Sequence, residues 1–441
     1  MSYEFIALLM FSSMMVLLLT GQRVFAVIGF VGSAAALLLW GDGSAELAFA
    51  SSMKLMKWYP MLTLPLFVFM GYMLAESRIA DDLYKMFHVW MGPLRGGLAI
   101  GTILLMVVIS AINGLSVAGM AVGSTIALPE LLRRGYDKVM VTGVIQAGST
   151  LGILVPPSVV LVLYGMIARQ PVGHLWMAGV FPGLLMASIF IGYIVLRCWL
   201  RPDLGPALPK AERAQYSLGE KLALLQAGII PLVIFVAMTG LFLSGVTSLV
   251  ESSAVGATAS ILAVIVRGRF TWRILHDTTK KTLAISCMFM WILLAALCFG
   301  AVFDGLGAVK SIERLFVGEL GMDRWMILIL MQLTFLILGA FLDDTAMLVI
   351  VAPLFIPLAG SLGFDLVWYG VLYTITCQVA YLTPPFGYNL FLMRSMAPPE
   401  VTLPDIYRSV VPFVGLMVVT LIIIGVFPEI ATWLPNYYYG N

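Results

Sequence analysis

Apolar runs long enough to cross a bilayer recur from one end of the chain to the other, and nothing else in the sequence narrows its fold so far. A bilayer core is about 30 Å thick and takes about 20 helical residues to cross. Runs of this kind lie at 4–20, 23–41, 59–76, 139–168, 173–199, 221–244, 250–267, 282–304, 366–393 and 407–430. Of the 441 residues, 61% are hydrophobic and 11% are charged, against about 25% charged in a soluble domain. Mean hydropathy is +1.02. The chain is therefore expected to be an all-α polytopic membrane protein. Its start, MSYEFIALLM, has no basic segment and no small-residue cleavage site, so 8–19 reads as a first span and not as a signal peptide. A net charge of +2 without a basic stripe makes no case for nucleic acid. Cys198, Cys287, Cys298 and Cys377 fall in apolar stretches and read as small buried hydrophobes.

Two further segments break the pattern. Residues 96–129 carry no charge, and 325–357 are interrupted by Asp343-Asp344. Each is too long for one span and too short for two spans and a turn. A re-entrant helical hairpin fits, provided that protein buries it. Amphipathic stretches at 79–91 and 307–319 precede the hairpins and are expected along the membrane surface. The basic residues test this reading. Ten spans and two returning hairpins leave six of the 25 Lys and Arg residues on one face, namely Lys54, Lys57, Arg169, Lys310, Arg314 and Arg324, and the other 19 on the opposite face. Counting each hairpin as a full crossing divides them far more evenly. The stronger bias favours hairpins, with the basic-rich face cytoplasmic and both termini periplasmic.

Shifted by 228 positions, the chain overlays on itself. Pro129 falls on Pro357, Gly135 on Gly363, and Pro156-Pro157 on Pro384-Pro385. LVPPS (154–158) meets LTPPF (382–386), and INGLSVA (112–118) meets AFLDDTA (340–346). Each half has five spans, an odd number, so the halves face opposite ways as inverted-topology repeats. The first repeat is 1–200, with scaffold 1–92, hairpin 96–129 and broken helix 139–168. A polar cytoplasmic linker follows at 201–217. The second repeat is 218–441, with scaffold 218–319, hairpin 325–357 and broken helix 366–393. Duplication with inversion is an architecture of secondary transporters, because mirrored halves give access from either side in turn.

A double proline inside each broken span explains what such halves hold. A broken helix leaves carbonyls unpaired where its first half ends and N–H groups unpaired where its second half begins. These ends carry partial negative and partial positive charge. A cation is therefore expected on the carbonyls from Gly152 to Val155, and an anion at a helix beginning near Pro157. The second repeat offers the carbonyls of 380–383 and a helix beginning near Pro385. The hairpin tips bring similar ends: Asn113-Gly114-Leu115-Ser116 with Ser116 as N-cap, and Asp343-Asp344-Thr345 with either aspartate as N-cap. Two tips meeting two breaks build two hard-cation sites around one anion site, and oxygen ligands suit Na⁺. The candidate cation residues are Asn113, Gly114, Ser116, Gly152, Val155, Pro156, Asp343, Asp344, Thr345, Thr383, Pro384 and Gly387. No Lys or Arg lies deep in a span, so Ser116, Ser158, Thr345 and Asn389 are the candidates for holding an anion. Gly143, Gly148 and Gly152 suit close helix packing, and Glu251 an N-terminal cap. Proton coupling through Asp343 or Asp344 is the alternative. A membrane-embedded metal enzyme built on that pair lacks a clear set of further ligands, and a passive channel has less need of inverted halves. The chain is not expected to be an enzyme.

The stretches GGLAIGTILLMVVISAINGLSVAGMAVGSTIALPELLRRGYDKVMVTGVIQAGSTLGILVPPSVVLVLYG (96–165), MAGVFPGLL (177–185) and GAFLDDTAMLVIVAPLFIPLAGSLGFDLVWYGVLYTITCQVAYLTPPFGYNLFL (339–392) resemble the large membrane subunit of tripartite ATP-independent periplasmic (TRAP) transporters. The resemblance extends over essentially the whole chain. It implies a sodium-driven, elevator-type importer in the bacterial inner membrane, with Na⁺ as coupling ion and no organic cofactor. It also implies a small membrane subunit of about four spans, here a separate chain, and a periplasmic binding protein that delivers a carboxylate. Hairpins and broken helices would form the moving domain, and the other spans the scaffold. The family often shows a Gly-Ser-Ser tip where this chain has Gly114-Leu115-Ser116. It often shows Thr-Pro-Thr-Glu where this chain has Thr247-Ser248-Leu249-Val250-Glu251.

Overall fold

A computed structural model describes residues 3–20, 22–76, 78–114, 116–209, 216–307, 314, 321–339, 344–384 and 387–440. Among them the chain is helical, without strands, as its apolar runs require. The first half comprises α1 (Tyr3–Leu19), α2 (Val24–Ala35), which continues as a π-turn over Ala36–Trp40, α3 (Ser44–Met56), α4 (Thr63–Glu76) and α5 (Ile79–Met91). The first hairpin follows as α6 (Gly97–Asn113), α7 (Ser116–Val122), a π-turn over Gly123–Ala127, and α8 (Leu128–Arg133). The first broken helix is α9 (Lys138–Thr150) and α10 (Val159–Ala168), and α11 (Val172–Leu200) closes the half. The second half comprises α12 (Leu218–Leu224), α13 (Ile229–Leu243), α14 (Leu249–Val266) and α15 (Trp272–Gly305). Its hairpin arms are α16 (Arg324–Gly339) and α17 (Asp344–Ser361), and its broken helix is α18 (Leu366–Tyr381) and α19 (Tyr388–Met396). The chain finishes with α20 (Leu403–Val426) and α21 (Glu429–Tyr439).

Six of the described helical stretches are long and apolar enough to cross a membrane: Tyr59–Glu76, Val172–Leu200, Leu218–Leu243, Leu249–Val266, Trp272–Gly305 and Leu403–Val426. The other apolar helices are shorter, and Gly97–Ile109, Val159–Ala168 and Arg324–Gly339 belong to the hairpins and the first broken helix. Arg267 forms an ion pair with Asp82, tying the end of α14 to the amphipathic α5.

The 228-residue repeat is visible in the hydrogen bonds. The carboxylate of Asp137 accepts from the amide of Met140 at 2.8 Å and starts α9. Asp365 accepts from Trp368 at 2.8 Å and starts α18. Before each cap lies a glycine in the left-handed region, Gly135 at φ 75° and Gly363 at φ 78°. The next amides, of Tyr136 and Phe364, donate back to Leu131 and Ala359 at 3.1 and 3.0 Å. These are helix-ending turns of one kind, used at equivalent places. At the centre, the side-chain amide of Gln378 donates to the Thr150 carbonyl at 2.7 Å, across a separation of 228 positions. A residue touches its own repeat equivalent only close to an axis relating the two halves.

Several sequence expectations are corrected. The segment 42–58 holds α3, which the apolar runs did not mark. Its repeat equivalent is the start of α15, one helix of 34 residues in place of a span at 282–304. The first half is interrupted at Lys57-Trp58-Tyr59-Pro60, where proline lacks the N–H to continue the ladder. Met288 stands at the equivalent position, and α15 runs on. The expected span 407–430 is α20 followed, after Phe427, by the separate α21. The second arm of the first hairpin runs past Pro129 to Arg133, because a proline in a first helical turn loses no bond. The half-helices after the breaks start at Val159 and Tyr388, later than near Pro157 and Pro385. Cys287 is exposed on α15, whereas Cys198, Cys298 and Cys377 are buried. Glu251 is the third residue of a capping box whose N-cap is Ser248, and accepts from the Ser248 amide at 2.7 Å. The expected surface stretch 307–319 lies outside the described residues except Gly307 and Arg314.

The broken helices pack on the last span of the opposite half: α9 against α20, and α18 against α11. Gly143 permits the first approach, since a Cβ there would lie 2.4 Å from the Ser409 carbonyl oxygen. An ion pair of Lys138 with Asp405 at 2.7 Å pins the starts of α9 and α20. Because the two caps are equivalent, Asp137→Ala and Asp365→Ala are each expected to lower the unfolding free energy of the purified protein by about 1 kcal/mol. Denaturant titration of both variants checks this; effects differing several-fold would count against equivalent roles.

Candidate functional site

The site begins at the first break. After α9 the backbone takes a single 3₁₀ turn, Leu151–Ile153, in which the amides of Leu154 and Val155 donate to the Leu151 carbonyl at 3.1 and 2.9 Å. Gly152 lies in that turn, and Val155 and Pro156 lie in the irregular segment after it. The hydroxyl of Ser158 spans the gap. It donates to the Ile153 carbonyl and accepts from the Leu161 amide at 3.1 Å, so Ser158 is the N-cap of α10.

The first hairpin tip closes on this break. Gly114 sits at φ 64°, and its carbonyl accepts from the Val159 amide at 3.3 Å. A Cβ at Gly114 would lie 2.2 Å from the Pro157 carbonyl oxygen, so only glycine allows the contact. The first tip and the first break thus meet through the backbone of the buried Gly114 and Val159.

The second break is built differently. After α18 the amides of Leu382 and Thr383 donate to Val379 and Ala380 at 3.1 Å, and the Thr383 hydroxyl donates to Val379 at 2.7 Å. The Thr383 carbonyl accepts from Gly387 at 3.1 Å. Gly387 is the N-cap of α19 and brings no capping side chain. Pro384 precedes a gap in the described residues at 385–386.

Asn389, fully buried in the first turn of α19, ties the two repeats together. Its side-chain amide donates to the Gln146 carbonyl at 3.3 Å and to the Ser149 hydroxyl at 3.0 Å, both on α9. It also meets the Ser116 hydroxyl at 3.2 Å. Ser116 is the first residue of α7 and not its N-cap, and its hydroxyl is engaged by Asn389 instead. Among the expected anion candidates, Ser116 and Asn389 are therefore in contact, while the Ser158 hydroxyl is committed to its own break. Sequence reasoning missed Gln146, Ser149 and Gln378. Their signal was an uncharged polar side chain in an apolar span, placed on the face toward the other repeat. The helical backbone at Asn113 is described but its side chain is not; Asp343 lies outside the described residues, as do the side chains of Asp344 and Thr345.

Beside this junction lies a cavity of about 850 Å³. Ser116, Ile153, Tyr381 and Tyr388 form its wall at the tip and the breaks. Residues of α2, α4 and α15 form the opposite wall, and the cavity reaches the exposed Arg23. Removal of the Asn389 side chain strands the buried Ser116 hydroxyl, whereas Ser149 still donates to the Gln146 carbonyl at 2.7 Å. Asn389→Ala is expected to lower the unfolding free energy by about 1–3 kcal/mol. Ser395→Ala, exposed near the other end of α19, should change it by less than about 0.5 kcal/mol. Equal effects in denaturant titration would contradict the tie.

With the geometry in place, comparison with known proteins is informative. Residues 11–430 match the family model of the tripartite ATP-independent periplasmic transporter, DctM component. The C4-dicarboxylate TRAP transporter large permease protein DctM of Pseudomonas aeruginosa is 30% identical over 419 residues, covering 93% of this chain and 94% of the relative. The ectoine/5-hydroxyectoine TRAP transporter large permease protein UehC of Ruegeria pomeroyi is 28% identical, covering 96% and 97%. Among solved structures, MtrF of Neisseria gonorrhoeae superposes with a TM-score of 0.61 at 16% identity, covering 90% of this chain and 85% of that one, a likeness of fold. The YdaH transporter of Alcanivorax borkumensis superposes with a TM-score of 0.59 at 17% identity, covering 90% and 91%. The chain belongs to the DctM family, the large membrane subunits of tripartite ATP-independent periplasmic transporters.

Proposed function

We propose that the chain carries out sodium-coupled uptake of a small carboxylate-bearing solute by elevator-type alternating access. The observation that supports this reading most is the junction itself. A hairpin tip meets one broken helix through Gly114 and Val159 and the other through Ser116 and Asn389. Such a junction gathers helix C-termini, which favour cations, and helix N-termini, which favour anions. Carbonyls already accepting one bond keep a second lone pair for a cation. In this reading Asn113, Gly114, Ser116 and the turn from Gly152 to Pro156 hold one Na⁺. Thr383, Pro384 and Gly387, with Asp343, Asp344 and Thr345 of the second tip, hold another. The solute lies against Ser116 and Asn389, with Ser158 and Thr345 the further candidates.

In this reading 1–92 and 218–319 are the scaffold, braced by a small membrane subunit. A periplasmic binding protein delivers the solute. The cavity reaches Arg23, on the basic-rich face, so the conformation described is open to the cytoplasm, with the chain in the inner membrane and its termini periplasmic.

Reconstitution with both partner proteins tests the coupling. Uptake of the bound solute should accumulate under an inward Na⁺ gradient and fall at least tenfold when K⁺ replaces Na⁺. Uptake that follows a proton gradient and ignores Na⁺ would instead favour titration of Asp343 or Asp344.

A further inference from the structure

The chemistry of the 850 Å³ cavity narrows the solute class; this step rests on the transport reading above. Among the described residues lining it, Arg23 is the one charged residue and none is acidic. No ion pair engages the Arg23 guanidinium among the described residues. Its position before α2 follows from the sequence, where Gly21-Gln22-Arg23 stands between two apolar runs. Around it the walls are aromatic. Phe25 and Trp291 lie with ring centroids 5.8 Å apart, and Tyr72 and Phe289 line the same space. On the junction side, Ser116 supplies a hydroxyl.

We propose that the solute passing through this cavity is a monocarboxylate with an apolar body. Its carboxylate meets Arg23 on the way to the cytoplasm, and its body lies against Phe25, Tyr72 and Trp291. A guanidinium pairs with one carboxylate in a bidentate fork. A second carboxylate on the same molecule would enter a cavity where the described residues offer no second cation, and would lose its hydration without compensation. A polyhydroxylated acid fares no better, because the aromatic walls of Phe25, Tyr72, Phe289 and Trp291 favour an apolar body. An apolar body loses nothing there and gains burial against rings.

Thermal unfolding of the purified full chain tests the proposal with benzoate, succinate and N-acetylneuraminate as probes, each in Na⁺ and in K⁺ buffer. Benzoate should raise the unfolding midpoint in Na⁺, and succinate and N-acetylneuraminate should not. Arg23→Gln should weaken the apparent benzoate affinity at least tenfold without lowering the midpoint of the unliganded protein. Trp291→Ala should weaken it too, as a check from the opposite wall. Stabilisation by succinate or N-acetylneuraminate equal to that by benzoate overturns the solute class while leaving sodium-coupled carboxylate transport standing. A benzoate affinity within twofold of the parent in Arg23→Gln overturns the role of Arg23. No Na⁺-dependent response to any probe counts against binding of the solute by this chain without its partners and leaves the transport reading to the reconstitution test.

Discussion

Every polar group of a backbone placed in an apolar medium needs a partner, and the two interrupted helices meet that demand by different means. At the first interruption the partners are local, with one exception. Ser158 joins the two ends, and the amide of Val159 finds its acceptor in Gly114 of the hairpin tip. At the second, Gly387 brings no side chain, and the adjacent Asn389 reaches away to α9 and α7. Leaving a buried donor or acceptor unpaired costs about 1–3 kcal/mol. These contacts therefore hold the two repeats at one junction, and the neighbouring cavity takes its inner wall from the same residues.

The repeats are alike where the backbone is shaped and unlike where chemistry is done. The turns into α9 and α18 share their glycine, their aspartate cap and their bond lengths. The breaks they lead to differ: a serine caps one and a glycine the other. The scaffold differs too, since Pro60 interrupts the first half where α15 runs unbroken. Inverted symmetry thus supplies the frame, and departures from it distinguish the two sides of the site. A solute meeting α19 finds a helix start without its own capping side chain, whereas α10 has already used its serine.

Much of this was legible in the sequence because its causes are local or repeated. Apolar runs mark spans through the cost of an unsatisfied backbone in lipid. The double prolines mark the breaks because proline removes a donor wherever it falls. Asp137 and Asp365 precede their helices in the manner of N-caps. What was not legible depends on partners far away in the chain. Nothing near Ser116 announces that its hydroxyl meets Asn389, 273 positions on, so it read as an N-cap. The polar Gln146 and Gln378 stood in apolar spans without a visible purpose until the opposite repeat was placed beside them. The helix α3 was hidden because its sequence is short and mixed, and its relation to α15 shows only after the halves are overlaid. Arg23 read as one topological charge among 19, and its place on the cavity wall depends on the packing of α2 against α15.

The most direct measurement is hydrogen exchange of the assembled transporter in Na⁺ against K⁺, resolved at 112–118, 151–160 and 379–390. A cation held where the tip meets the breaks should slow exchange in all three segments together, with the Val159 amide among the most protected. Equal exchange in the two salts, or protection confined to segments away from the junction, would contradict a cation site there.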